Sequence, residues 1–141
     1  MRLRCPEHRK VLRGMRRKEA GSRLDLMSAI YLGGGTPSQL IQEELEKIFS
    51  SLYNIYKVKE DAEITLEANP DDLTPEYVYM LRSLPINRIS MGIQTFQEET
   101  LKLLHRRHTA QQAIEAFQRC REAGFLNIIF GMYISISIIY E

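Results

Sequence analysis

Tryptophan is absent from these 141 residues, and cysteine occurs only twice, at Cys5 and Cys120. Two thiols so far apart exclude a disulfide framework and offer no zinc-binding spacing. No apolar run approaches the ~18 residues that a membrane span requires. The most apolar stretch, Phe130 to Tyr140, is short and isoleucine-rich, and it reads as β-structure. The basic N-terminus has no apolar stretch behind it, so no secretory signal is expected and the default setting is cytoplasmic. What is present is the balance of a soluble globular chain, 44% hydrophobic and 26% charged. That is one domain or a piece of one, long enough to bury a core.

The net charge of +1 hides an asymmetry, because residues 1–23 carry nine Lys or Arg against Glu7 and Glu19. This arm is net +7 and the remainder net −6. A basic arm can serve nucleic acid or an anionic surface. No aromatic side chain interleaves these charges, as single-strand binders require, so a solvated terminus is the preferred reading and nucleic acid is not an expected partner.

From Ala29 onward, strand and helix signals alternate. Ala29–Leu32 reads as a buried strand and Pro37 to Leu52 as a helix with Ile41, Leu45, Ile48, Phe49 and Leu52 on its inner face. Thr36 is expected as its N-cap, with Pro37 in the first turn and Gln39 closing a capping box. Glu63–Glu67 is the next strand, stopped by Pro70, and Thr74-Pro75-Glu76 opens a helix running to about Leu84. Arg88–Ile93 is a third strand, and Gln97 to Arg107 a short helix. Thr109 and Gln112 form a second capping box, for a helix ending at Gly124 with Ala113, Phe117 and Cys120 inward. Cys120 is therefore expected to be a core thiol. A fourth strand follows Phe125. Such alternation indicates βαβ units and a parallel sheet.

That geometry places Gly33-Gly34-Gly35, Glu67 and Gln94 at the C-terminal ends of successive strands, the rim where parallel α/β folds bind ligands. Glu67 or Gln94 alone is equally consistent with capping neighbouring backbone; their convergence favours a ligand. Three glycines after a strand expose backbone to close approach. No Lys-Ser or Lys-Thr follows Gly35, which argues against a nucleotide phosphate loop, and the dinucleotide glycine spacing is missing too. A zwitterion fits better, since glycine carbonyls and the Glu67 carboxylate both accept from an ammonium.

Four motifs in order, Tyr31-Leu32-Gly33-Gly34-Gly35-Thr36-Pro37-Ser38, Glu67-Ala68-Asn69-Pro70, Ser90-Met91-Gly92-Ile93-Gln94-Thr95-Phe96 and Leu104-His105-Arg106-Arg107-His108, resemble radical S-adenosylmethionine proteins. Within them, the likeness is to the oxygen-independent coproporphyrinogen III oxidase and heme chaperone group, and it covers roughly Ala29 to Phe125. The resemblance implies an α/β fold, a partial (β/α) barrel with parallel strands over residues 29–141, preceded by the basic segment 1–28. It implies that Gly34, Gly35 and Thr36 hold the methionine amino group of S-adenosyl-L-methionine. Glu67 and Gln94 would contact its ribose and amino-acid portions, and Arg106, on the following helix, would pair with its polar groups. His105 and His108, three apart, could be read as metal ligands; solvated histidines at a helix end are the preferred account.

The family's chemistry rests on a [4Fe-4S] cluster held by three cysteines of a CxxxCxxC loop. Only Cys5 precedes Gly33, so those ligands are absent from this chain and no metal ligand or catalytic residue is assigned. The family's first strand is not evident in residues 1–28. Its later N-I-S-I-D-L-I-Y-G strand has a displaced counterpart at Ile134–Glu141, with Ser137 at the aspartate's place and Glu141 at the glycine's. A truncated or frame-shifted gene is the expectation that follows. The leading reading is the S-adenosylmethionine-binding core of a heme-biosynthesis protein of the chaperone branch, inactive as written, with heme or porphyrinogen the partner of the whole protein. The alternatives are the oxidase itself, which oxidatively decarboxylates coproporphyrinogen III, and a non-catalytic binding fragment.

Overall fold

Four stretches rich in aliphatic residues form strands β1 (Met27–Leu32), β2 (Val58–Ala68), β3 (Arg88–Gln94) and β4 (Asn127–Met132) in a computed structural model. Residues 26–132 are described; Cys5, the basic arm, Ser137 and Glu141 lie outside them. The strands pair in the order β1-β2-β3-β4, every pair parallel, with Ile30 beside Ile64, Leu66 beside Ile89 and Ile89 beside Ile128. Parallel neighbours need crossovers. These are helix α1 (Gln42–Ile55), helix α2 (Pro75–Arg82) and, between β3 and β4, the pair α3 (Glu98–Leu103) and α4 (Ala110–Glu122).

Strand periodicity divides the sheet into two faces. Ile30, Ile64, Leu66, Ile89, Met91 and Ile93 point to the face that packs with Leu45, Ile48, Phe49 and Leu52 of α1, Val78 and Leu81 of α2, and Ala113, Ala116 and Cys120 of α4. Burying one such leucine or isoleucine stabilises the fold by about 2 kcal/mol, and together they hold the helices on the sheet. Burial pushes the Cys120 thiol up to about 11, which fits a packing role for it. The strands begin earlier than the sequence pattern implies, β1 at Met27 and β2 at Val58. Among the described residues, no helix is long and apolar enough to cross a membrane.

The helix boundaries show where local signals were overridden. A single helix from Pro37 to Leu52 does not form. Pro37–Gln39 is a 3-10 turn, Leu40 is extended (φ −73°, ψ 134°), and α1 starts only after Ile41. Thr36 makes no side-chain cap, so its expected box with Gln39 is absent. Tertiary partners account for the break: Tyr77 Oη donates to the Leu40 carbonyl at 3.0 Å, and Ser38 Oγ donates to Asp72 Oδ2 at 2.6 Å. Ile41, expected on the inner face, is 58% exposed at the helix entry, where Glu44 Oε2 accepts from its N–H at 3.3 Å.

Helix α3 is also shorter than expected and ends at Leu103. His105 takes a left-handed φ of 52°, while its N–H bonds Lys102 O and the Arg106 N–H bonds Leu101 O at 2.9 Å. That pattern closes a helix C-terminus, so Arg106 stands beyond the helix and not on it. Helix α4 follows its signals closely. Thr109 Oγ1 accepts from Gln112 N, Gln112 Oε1 accepts from Thr109 N, and Gly124 (φ 92°) ends the helix with Phe125 N bonded to Cys120 O.

Candidate functional site

Because all four strands run the same way, their C-terminal ends form one rim, and the glycine loop, Glu67 and Gln94 all lie on it. A cleft of about 140 Å³ opens there, lined by Gly35, Thr36, Pro37, Ser38, Glu67, Ala68, Asn69, Gly92, Gln94 and Arg106. Five of the six residues singled out from sequence thus meet in one cavity. The sixth, Gly34, is tied to it: its N–H donates to Glu67 Oε2 at 3.2 Å. Glu67 therefore does cap backbone, through one carboxylate oxygen; the other has no partner among the described residues.

Steric detail explains the glycines. A Cβ on Gly33 would come within 2.8 Å of Glu67 Oε2 and 2.4 Å of the Tyr31 ring. Gly34 and Gly35 have φ of 78° and 84°, a backbone region closed to most side chains. On β3, a Cβ at Gly92 would approach Gln94 Nε2 to 3.2 Å and Arg106 Nη2 to 3.4 Å. Glycine at both strand ends keeps the cleft open.

Arg106 and Arg107 are adjacent, yet their environments differ. Arg107 Nη2 bridges Asp71 Oδ2 (2.7 Å) and Asp72 Oδ1 (3.0 Å). Arg106 Nη2 donates only to neutral acceptors, Asn69 Oδ1 at 2.9 Å and Gly92 O at 2.7 Å, and its buried Nε has no partner. No carboxylate among the described residues forms an ion pair with it. A guanidinium held in a cleft without its counter-charge is suited to receive an anionic group at Nη1, since both Nη2 protons are committed. Glu67 lines the same cleft, which therefore presents one negative and one positive group, the complement of a zwitterion.

Four of the residues shaping this cleft were not singled out from sequence. Asn69 holds Arg106, Ser38 Oγ accepts from Asn69 N at 3.3 Å, and Asp72 receives Ser38, Asn69 Nδ2 and Arg107 together. Asp72 gives no local signal, since only the fold brings Ser38 beside it. Gly92 did carry one: an isolated glycine inside a strand marks close approach of another group.

His108 departs from expectation most clearly. It is 2% exposed and not solvated, with Nε2 3.2 Å from Ile93 O and Nδ1 3.8 Å from Asp71 Oδ1. Burial holds its pKa below the ordinary histidine value, although the neighbouring carbonyl and carboxylates pull the other way. His105 remains exposed and shares no site with it. Among the described residues, no cluster of His, Cys, Asp or Glu is placed to hold a metal ion.

Residues 7–137 match the radical SAM superfamily. The chain belongs to that superfamily. It is 39% identical over 111 residues to the heme chaperone HemW of Bacillus subtilis, a match spanning 75% of this chain and 29% of that protein. It is also similar to the solved structure of coproporphyrinogen III oxidase (HemN) from Escherichia coli, with a TM-score of 0.67 and 28% identity over 74% of this chain and 24% of that one. A structure of Elp3 from Methanocaldococcus infernus, at 18% identity and a TM-score of 0.65 over 86% of this chain, shares the fold. The chain thus spans less than a third of the curated relatives it matches.

The superfamily uses S-adenosyl-L-methionine and a [4Fe-4S] cluster. The cleft fits the first, since an under-satisfied guanidinium, a half-free carboxylate and open glycine backbone complement an amino-acid zwitterion. The residues of this chain do not fit the second. Its two cysteines cannot supply three thiolates, and Cys120 is turned into the core under α4.

Proposed function

We propose that this chain is the S-adenosylmethionine-binding part of a heme-biosynthesis radical SAM protein of the heme chaperone branch, working in the cytoplasm, with heme as the cargo of the whole protein. The observation that carries it is the Arg106 guanidinium, which has no carboxylate partner among the described residues, lining one cleft with Glu67 and the glycine loop. In this reading Arg106 receives the cofactor's carboxylate, and Gly34, Gly35 and Thr36 border its ammonium. Glu67 accepts from the ammonium or from ribose, and Gln94 contacts the ribose or amino-acid portion. When bound beside a cluster, the cofactor supplies the radical chemistry. No such step is assigned to this chain, whose part is to bind and orient.

The oxidase reading, oxidative decarboxylation of a porphyrinogen, has support from the likeness to the solved oxidase. The higher identity to the chaperone favours the first reading. Calorimetric titration of the full chain with S-adenosylmethionine tests the site. One-to-one binding is expected, weakened about tenfold in Arg106→Ala, the worth of a charge-assisted hydrogen bond. Absence of binding by the unmodified chain, or equal affinity in the variant, overturns it.

A further inference from the structure

Gln94 reaches the cleft from a strained piece of backbone. Its φ is 72°, and the Thr95 N–H bonds back to Ile93 O at 2.9 Å, a three-residue turn with a positive φ at its centre. Turns of this hand are rare and strained, and outside glycine such a φ persists only when the surroundings hold it. Here the sheet register also slips between Met91 and Gln94, so the ladder to β4 does not impose the conformation by itself.

The second group on the Ile93 carbonyl is His108. A carbonyl oxygen only accepts, so the 3.2 Å contact assigns the proton to Nε2 and leaves the lone pair on Nδ1. Nδ1 is buried with no hydrogen-bond partner, and Asp71 Oδ1 at 3.8 Å is itself an acceptor. An imidazole that leaves one nitrogen unsatisfied to place the other on a single carbonyl is placed for that carbonyl. The groups around it are Asp71 on the turn after β2, Glu98 on α3 and Arg106 in the following loop. Thr109, next in sequence, is already engaged in capping α4, which anchors His108 from its C-terminal side.

We infer that His108 is a positioning residue: through Nε2–H on the Ile93 carbonyl it holds the Gln94 turn that delivers the Gln94 side chain to the cleft. It touches no ligand. The importance of Gln94 for the cofactor rests on the proposed site, whereas the positioning itself is independent of it.

Nuclear magnetic resonance on the full chain tests this without any ligand. The unmodified chain is expected to show the Nε2–H tautomer at His108. His108→Leu is expected to accelerate Thr95 amide exchange about fivefold, the loss of about one hydrogen bond, and to shift the Gln94 HN–Hα coupling. His108→Gln, whose amide N–H can stand where Nε2 stood, is expected to restore both. If the leucine variant does not fold, the tautomer and the glutamine variant decide. An Nδ1–H tautomer, a leucine variant with unchanged Gln94 and Thr95 signals, or a glutamine variant that fails to restore them overturns the inference. Calorimetry then separates the two claims: the ligand-free signals moving while S-adenosylmethionine fails to bind the unmodified chain would sink the cofactor reading and leave the positioning intact.

Discussion

Leu66 and Glu67 are neighbours in sequence, yet they serve opposite faces of the same sheet. Leu66 is fully buried under the helices, in a layer with Ile64, Ile89 and Met91. The other face carries Tyr31, Glu63, Thr65, Glu67, Arg88 and Ser90, aligned across strands by the register. There Tyr31 Oη donates to Ser90 Oγ at 3.3 Å, Arg88 pairs with Glu63, and the rim opens into the cleft. The helix-covered face is apolar and close-packed, so its contribution is stability. At that rim the buried Arg106 Nε stands without a partner, a polar cost that the packed face does not carry. The two faces are therefore separable by mutation.

The largest effect is expected on the packed face. Leu66→Ala should cost about 2–5 kcal/mol through lost burial and the cavity left behind, read as a lower midpoint in chemical denaturation. Arg106→Ala leaves Asn69 Oδ1 and Gly92 O without their donor and should cost about 1–3 kcal/mol; a denaturation midpoint equal to the unmodified chain's would blur the contrast between faces. Gly33→Ala pushes against two movable side chains, Glu67 and Tyr31, so a loss of about 1 kcal/mol is expected. Its main consequence should be release of Glu67 from the Gly34 N–H, visible as faster exchange of that amide.

The smallest effect is that of pH. His108 has a folded pKa held below its ordinary 6.5 by burial, so the unfolded chain binds more protons in the interval between the two values. Its contribution to stability is complete above about pH 6.5 and is lost as pH falls through the folded pKa. Unfolding midpoints measured from pH 7.5 down to 5 should fall, and the fall should shrink in His108→Gln. The same slope in both chains would show that carboxylates, not His108, set it.

Much of this architecture was legible beforehand because it is written in short-range patterns. Alternating Ile and Leu marked the strands, Thr109 and Gln112 marked the start of α4, and Gly124 its end. The glycine loop, Glu67 and Gln94 were legible because strand ends point to one rim, whereas Arg106 entered only through the resemblance to the radical S-adenosylmethionine family. The errors fell where distant groups compete for local ones. Thr36 and Gln39 have the right identities for a cap, but Tyr77 and Asp72 draw the turn into another shape. His105 and His108 look alike in sequence; one is solvated and the other is sealed against Ile93 because the chain turns left-handed at His105.

Periodicity and motif order alone determined the parallel α/β class, the rim and the chemistry types gathered on it, since these depend on residue identity and spacing of a few positions. Tertiary structure decided which arginine is ion-paired and which bonds only neutral groups, that Asn69 and Asp72 brace the cleft, and that a buried histidine stands behind Gln94. Those outcomes depend on distances between residues more than a dozen positions apart, which no local pattern encodes.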